Sequence, residues 1–202
     1  MKNNEDFLRL FEDKLSKYTG APHVVVVDRC TNAIFLSLLQ FGKQSITIPK
    51  NTYLSVPMTL INMGYDVSFR DEAWEGCYQI GNTPVWDCAV GFHKNMYIPG
   101  QIQCLSFQQK KRLPIGKGGA ILLDDAIYAS LLRRLRHDGR VSDWPVAYEM
   151  EVNSENILLG YHMNMSPDEA AKGVLLMNQL NSDYVPGTWK DYPDISTLRC
   201  FV

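Results

Sequence analysis

Apolar residues recur at helical spacing over residues 4–18, where Phe7, Leu8, Phe11, Leu15 and Tyr18 share a face and Gly20 offers a stop. The pattern then changes. "HVVVV" (His23–Val27) is an unbroken, largely β-branched run, the mark of a strand buried on both faces. "TNAIFLSLLQFG" predicts a helix with Thr31 capping its start and Gly42 at its end, "SITIP" a strand, and "YLSVPMTLINMG" a helix carrying Pro57 near its start. "DVSF", "TPVWD", "IQCLSF" and "GGAILLDD" read as further strands. Alternation of strand and helix argues for an α/β fold, a mainly parallel sheet flanked by helices with right-handed crossovers.

The second half has a different texture. "DAIYASLLRRLRHDGR" predicts an amphipathic helix that ends at Gly139, with arginines in its last turns to suit the helix dipole. Residues 141–165 show no clean period and read as a long loop. "SPDEAAKGVLLMNQL" opens with Ser166 as N-cap, Pro167 at the first helical position and Glu169 at the capping-box position. Residues 181–202 are turn-rich. One α/β domain over residues 1–202, with a helical, loop-rich C-terminal part, is the expected organisation.

Composition narrows the setting. The chain has 202 residues, 46% hydrophobic and 21% charged, which suits a soluble domain with a sizeable core. A formal net charge of -2 gives no reason to expect nucleic acid or an anionic membrane as partner. The acidic, amphipathic start is not expected to be a secretory signal, and no apolar run approaches a membrane span. Cys30, Cys77, Cys88, Cys104 and Cys200 are scattered and never spaced CxxC, which favours reduced thiols in a cytoplasm over disulfides or zinc. His93, His137 and His162 have no metal-like spacing and read as structural or surface residues.

In open parallel sheets, ligands bind beyond the carboxyl ends of the strands. Four polar groups follow strands here: Asp28 to Asn32, Asn51 to Tyr53, Asp87 to Ala89, and Ser106 with Lys111 five residues on. Together they form a parts list for pyridoxal phosphate. Thr31 and Ser106 hydroxyls at a helix start can hold a phosphate, and Tyr53 can stack on a flat ring. A carboxylate at Asp87 can keep a pyridine nitrogen protonated, and a lysine can condense with the aldehyde. Plainer readings stand beside these: Lys111 as one charge of a solvated "KKR" loop, Asp87 as a turn cap, Tyr53 as core packing. Lys110 and Lys117 read as solvent-facing or anion-binding. "GKGGA" lacks the earlier glycine and the Ser/Thr of a nucleotide-binding P-loop.

The ordered pattern "FEDKLSKYTG…VVVDRCTNA", "IPKNTY", "WDCA", "SFQQKK…GKGGA", "RRLRHDGR" and "GYHMNMSPDEAAKG…NQL" resembles the DegT/DnrJ/EryC1/StrS family of pyridoxal-phosphate sugar aminotransferases of fold type I, from about residue 7 to residue 180. The family motif is Ser-Phe, three residues, then the Schiff-base lysine, which the resemblance places at Lys111. It likewise implies Thr31, Asn32 and Ser106 at the phosphate, Tyr53 and Ala89 about the ring, and Asp87 at the ring nitrogen. Asn164 would complete the phosphate site from the facing subunit of a homodimer. The implied substrates are small molecules, an amino-acid donor such as glutamate and a keto-sugar nucleotide. Dehydratase relatives carry His at the lysine position, so Lys111 argues for transamination.

The chain departs from the family in three places. Val90 stands where Gln or His is usual, the stretch between Asp71 and Asp87 is short enough to omit a strand and a helix, and the usual C-terminal small domain is expected to be absent. These departures keep a second expectation open, a non-catalytic relative acting as a binding or partner subunit.

Overall fold

The computed structural model describes residues 4–140 and 157–201. The first part of the expected loop, residues 141–156, lies outside the described residues. Helices α1 (Asn4–Thr19), α2 (Cys30–Leu38), α3 (Ser55–Asn62), α4 (Ala126–Leu135) and α5 (Pro167–Met177) accompany strands β1 (His23–Val27), β2 (Ser45–Pro49), β3 (Asp66–Arg70), β4 (Tyr78–Gln79), β5 (Val85–Asp87), β6 (Ile102–Ser106) and β7 (Gly119–Leu123). A short 3-10 turn covers Trp189–Asp191. Helix α5 begins as its sequence predicts: Ser166 and Glu169 form a reciprocal capping box with Pro167 in the first turn.

The strands form a five-stranded sheet in the order β1-β7-β6-β5-β4 and a separate two-stranded sheet of β2 and β3. Alternation along β1 makes the layering visible. Val25 and Val27 enter the core shared with Ile34, Leu36, Leu60 and Leu132, from α2, α3 and α4. Val24 and Val26 enter the opposite core with Phe11 and Leu15 of α1 and Ala170 of α5. Helices therefore cover both faces, and burying each large aliphatic side chain between layers stabilises by about 1.5–3 kcal/mol.

The α/β class with flanking helices is as expected, but the strand directions are mixed. β5 and β6 run parallel, as do β2 and β3, whereas β1–β7, β6–β7 and β4–β5 are antiparallel. The reason lies in the connections. A parallel return needs a crossover, usually helical, and residues 107–118 contain no helix; they fold back as a loop closed by Phe107 N–H to Gly118 O at 3.0 Å and Gly116 N–H to Phe107 O at 3.1 Å. β7 must then reverse. β1, β5 and β6 still point the same way, so their carboxyl ends share one rim.

The short stretch before Asp87 explains the split sheet. It supplies only the two-residue β4 and no helix, so no strand pairs β2 with the main sheet. Gly81 N–H reaches Thr47 O at 3.2 Å, and the Arg70 guanidinium bridges the Thr47 and Gln79 carbonyls across the gap.

Gly118 and Gly119 fix the approach of α2 to the rim. A Cβ on Gly119 would lie 2.5 Å from both the Arg29 carbonyl carbon and the Cys30 nitrogen, and Arg29 forms a bridge with Gly118. Gly119→Ala is therefore expected to destabilise the protein by about 1–3 kcal/mol, the usual cost of overpacking, read as a lower urea midpoint. An unchanged midpoint would contradict this account of the turn.

Candidate functional site

Asp87 ends β5 inside the protein, 5% exposed. Both carboxylate oxygens are matched: Tyr78 Oη donates to Oδ2 at 2.7 Å, and the Ala89 amide donates to Oδ1 at 2.9 Å. Tyr78 has one hydroxyl proton, so its short contact with Thr52 Oγ1 has Thr52 as donor. The result is a relay, Thr52 to Tyr78 to Asp87, linking the end of β2 to the end of β5. Burial raises the pKa of Asp87 above its ordinary 3.8, opposed by the Tyr78 and Ala89 hydrogen bonds and by the Lys111 charge. Burial, then the Asp87 charge, raises Tyr78 strongly, so its phenol remains a proton donor.

Lys111 sits half-buried in the loop after β6, where its N–H bonds to Gln108 O at 2.8 Å in a turn. Its Nζ donates to Tyr192 Oη at 3.4 Å. Its charge is felt at both Asp87 and Cys30. Lys110 and Lys117 are exposed, as expected of solvent-facing neighbours. The cleft in front of Asp87 is lined by Thr52, Tyr53, Trp74, Ala89, Val90 and Tyr192, among others, and leaves about 10 Å³ free.

The remaining expected residues gather around the same rim in different ways. Thr31 Oγ1 pairs with Ser55 Oγ at 2.9 Å, joining the starts of α2 and α3. It does not cap α2: the N-cap is Arg29, whose backbone is extended at φ -157 and ψ 152 and which makes no side-chain cap bond. Asn32 Nδ2 donates to Asp28 Oδ1 at 2.6 Å. Ser106 ends β6, buried, opposite Gly119. Tyr53 is not core packing; it is 64% exposed at the mouth of the cleft. Asn164 follows Met163, whose carbonyl accepts the Asp28 N–H at 2.9 Å, and its Oδ1 is buried with no hydrogen-bond partner among the described residues.

Thr52 and Cys30 belong to the strand-end groups that the sequence offers, whereas Tyr78, Trp74 and Tyr192 escape it. Tyr78 carries no motif, although it pairs with Asp87 across the β4–β5 ladder. Trp74 packs against Tyr78 and Tyr192 with ring centroids 5.1 and 5.5 Å away. Tyr192 comes from the turn-rich tail. Cys30, half-buried at α2's start, donates its thiol toward Cys104 O at 3.6 Å, and burial raises its pKa well above the usual thiol value.

The chemistry of the donor set fits pyridoxal phosphate. A buried carboxyl lines the cleft and an amine meets the cleft residue Tyr192, with hydroxyls and the start of α2 near the same rim. The free space does not admit a ring while Tyr192 lies in it.

A pH dependence follows from Asp87. Because its folded value is raised, its contribution is intact below about 3.8, its unfolded value, and is lost as pH rises through the folded value. Asp87→Asn is thus expected to gain stability relative to the parent protein between acid and neutral pH, measured by urea unfolding at pH 4 and 7. A pH-independent gap would contradict a raised value for the carboxyl.

Comparison with known proteins follows the same lines. The family model described as the DegT/DnrJ/EryC1/StrS aminotransferase family matches residues 2–78 and 94–184. A search of curated sequences returned no match. Sugar aminotransferase CalS13 from Micromonospora echinospora is similar in structure with TM-score 0.71 and 15% identity, over 86% of this chain and 60% of that one. AtS13 from Actinomadura melliaura gives TM-score 0.70 and 16% identity over 86% and 60%. A variant of GDP-4-keto-6-deoxymannose-3-dehydratase with bound GDP-perosamine gives 0.66 and 15% over 87% and 61%. The chain thus spans about 60% of the length of these structures. These likenesses establish the fold, and the family match over most of the chain establishes that it belongs to the DegT/DnrJ/EryC1/StrS aminotransferase family.

Proposed function

We propose that this chain binds pyridoxal phosphate and transfers an amino group from an amino acid, glutamate in the simplest case, to a keto-sugar nucleotide. The observation that carries the reading is that Asp87 and Tyr192 line one cleft while the Lys111 amine reaches the Tyr192 hydroxyl, close enough for its charge to be felt at Asp87. When bound, the cofactor supplies a carbonyl that condenses with amines and a ring that delocalises electrons. Asp87 would hold a proton at the ring nitrogen. Its burial suits that role, because a cation placed against it favours its charged form. The Tyr78 and Ala89 hydrogen bonds keep the carboxyl aimed at the cleft.

Lys111 would attach the cofactor and, once released by the donor amine, serve as general base for the proton on the donor's Cα. Thr31 and Ser106 hydroxyls, Asn32 and the amides at the start of α2 would orient the phosphate. Ala89 and Tyr53 would flank the ring. Asn164 would donate its side-chain amide to the facing subunit's phosphate in a homodimer. Lys111, rather than His, supports transamination over dehydration. Retention of both reactive groups, near enough for the Lys111 charge to act on Asp87, supports catalysis over a purely binding role. The five free thiols suit a cytoplasmic setting, and no helix among the described residues is long and apolar enough to cross a membrane. One α/β domain performing these roles is part of the same reading.

The test is covalent. Incubation with pyridoxal phosphate, borohydride reduction and peptide mapping should place a pyridoxyl mass on Lys111, absent in Lys111→Ala. In a separate sample loaded with pyridoxal phosphate but not reduced, glutamate should yield one equivalent of 2-oxoglutarate per loaded site. A label at another lysine, or one that survives in Lys111→Ala, would defeat the assignment.

A further inference from the structure

We propose that residues 187–195 form a displaceable plug, in which the Tyr192 ring occupies the space that the cofactor ring must take. The inference rests on the cofactor reading above. The segment is pinned at both ends. Gly76 N–H donates to Gly187 O at 2.8 Å, Gly187 N–H to Val90 O at 3.3 Å, and Trp189 N–H to Trp74 O at 3.1 Å. At the far end, Asn51 Nδ2 donates to Tyr192 O at 2.9 Å and Ile195 N–H donates to Lys50 O at 3.0 Å.

Between these anchors Tyr192 turns inward. Its ring packs on Trp74 and lines the cleft beside Asp87, while its hydroxyl meets Lys111 Nζ. A six-membered aromatic ring with a polar tip thus lies against the two groups that the cofactor ring would have to reach. The phenol stays neutral, its pKa pushed up to about 12 by burial and then by the Asp87 charge. With Tyr192 in place the cleft leaves about 10 Å³, roughly the room of one water. A pyridine ring enters only where the phenol leaves.

Two features suit displacement. The contact with Lys111 is long, 3.4 Å, and so weak. The anchors are isolated bridges, Glu75 with Thr188 and Asn51 with Asp194, and a Lys50–Asp194 ion pair at 3.4 Å rather than a continuous ladder, and such segments open at lower cost than a sheet. Val90 then acquires a role. A Cβ on Gly187 would lie 2.8 Å from Val90 Cβ, so the segment rests directly on that side chain. An apolar residue at position 90 is what a covering backbone requires, where the family resemblance leads one to expect Gln or His.

The experiment measures pyridoxal phosphate binding, by rate and by equilibrium affinity, to the parent chain, Tyr192→Ala and Gly187→Ala. Backbone amide exchange at Trp189 and Ile195 is followed with and without the cofactor. If the plug is closed about nine-tenths of the time, removing it raises apparent affinity about tenfold. Tyr192→Ala is expected to bind faster and tighter by that order. Gly187→Ala, which lifts the segment but keeps the phenol, should shift the same way. The two amides should exchange faster in the loaded parent chain. Equal binding by all three proteins, with unchanged exchange, overturns the plug and leaves the cofactor reading standing. Weaker binding by Tyr192→Ala also overturns it, making the phenol a wall of the site. Failure of all three to bind overturns the cofactor reading and the plug with it.

Discussion

Burying the Asp87 carboxyl at the end of β5 costs free energy unless both of its oxygens find donors, and the surrounding structure is arranged to supply them. The Ala89 amide takes one oxygen because the chain turns at once after the strand. Tyr78 takes the other because β4, only two residues long, sets it directly opposite Asp87. Thr52 then orients Tyr78 from the end of β2. A polar chain of this kind, fully matched inside the protein, holds its members in one arrangement. Trp74 seals it from the side, packing on Tyr78 and donating its indole N–H to the Asn51 carbonyl at 2.9 Å.

The shortened stretch before Asp87 therefore has two effects. It divides the sheet, because no strand connects β2 to the main set, and Arg70 bridges carbonyls across that gap. It also brings Tyr78 close enough to serve Asp87. The same region accepts residues 187–195, which lie on Val90 and Trp74 and carry Tyr192 into the cleft. Val90, the short stretch before Asp87 and residues 187–195 thus meet around a single carboxyl.

Much of this was legible before any coordinates. The β-branched run at β1, the capping box of α5 and the apolar strands β6 and β7 are local signals, and each produces the element it predicts. Three of the four strand-end groups follow β1, β5 and β6, which share a direction, and Thr52 and Tyr53 after β2 line the Asp87 cleft. Strand direction elsewhere departs from the expected parallel sheet because residues 107–118 return without a helix. Thr31 was misplaced as a cap because the Arg29–Gly118 bridge holds Arg29 extended and moves the helix start back. Tyr78 and Tyr192 were illegible for a different reason. A two-residue strand has no period, and the Tyr192–Lys111 contact spans 81 positions in a segment without repeating pattern.

The account turns on one carboxyl and one amine serving the same ring. A crystal structure of the protein grown with pyridoxal phosphate tests this most directly. The account predicts continuous density from Lys111 Nζ into a pyridine ring whose nitrogen lies within hydrogen-bonding distance of Asp87. Density for the cofactor at another surface, with Asp87 still bonded only to Tyr78 and Ala89 and Lys111 unmodified, would contradict it.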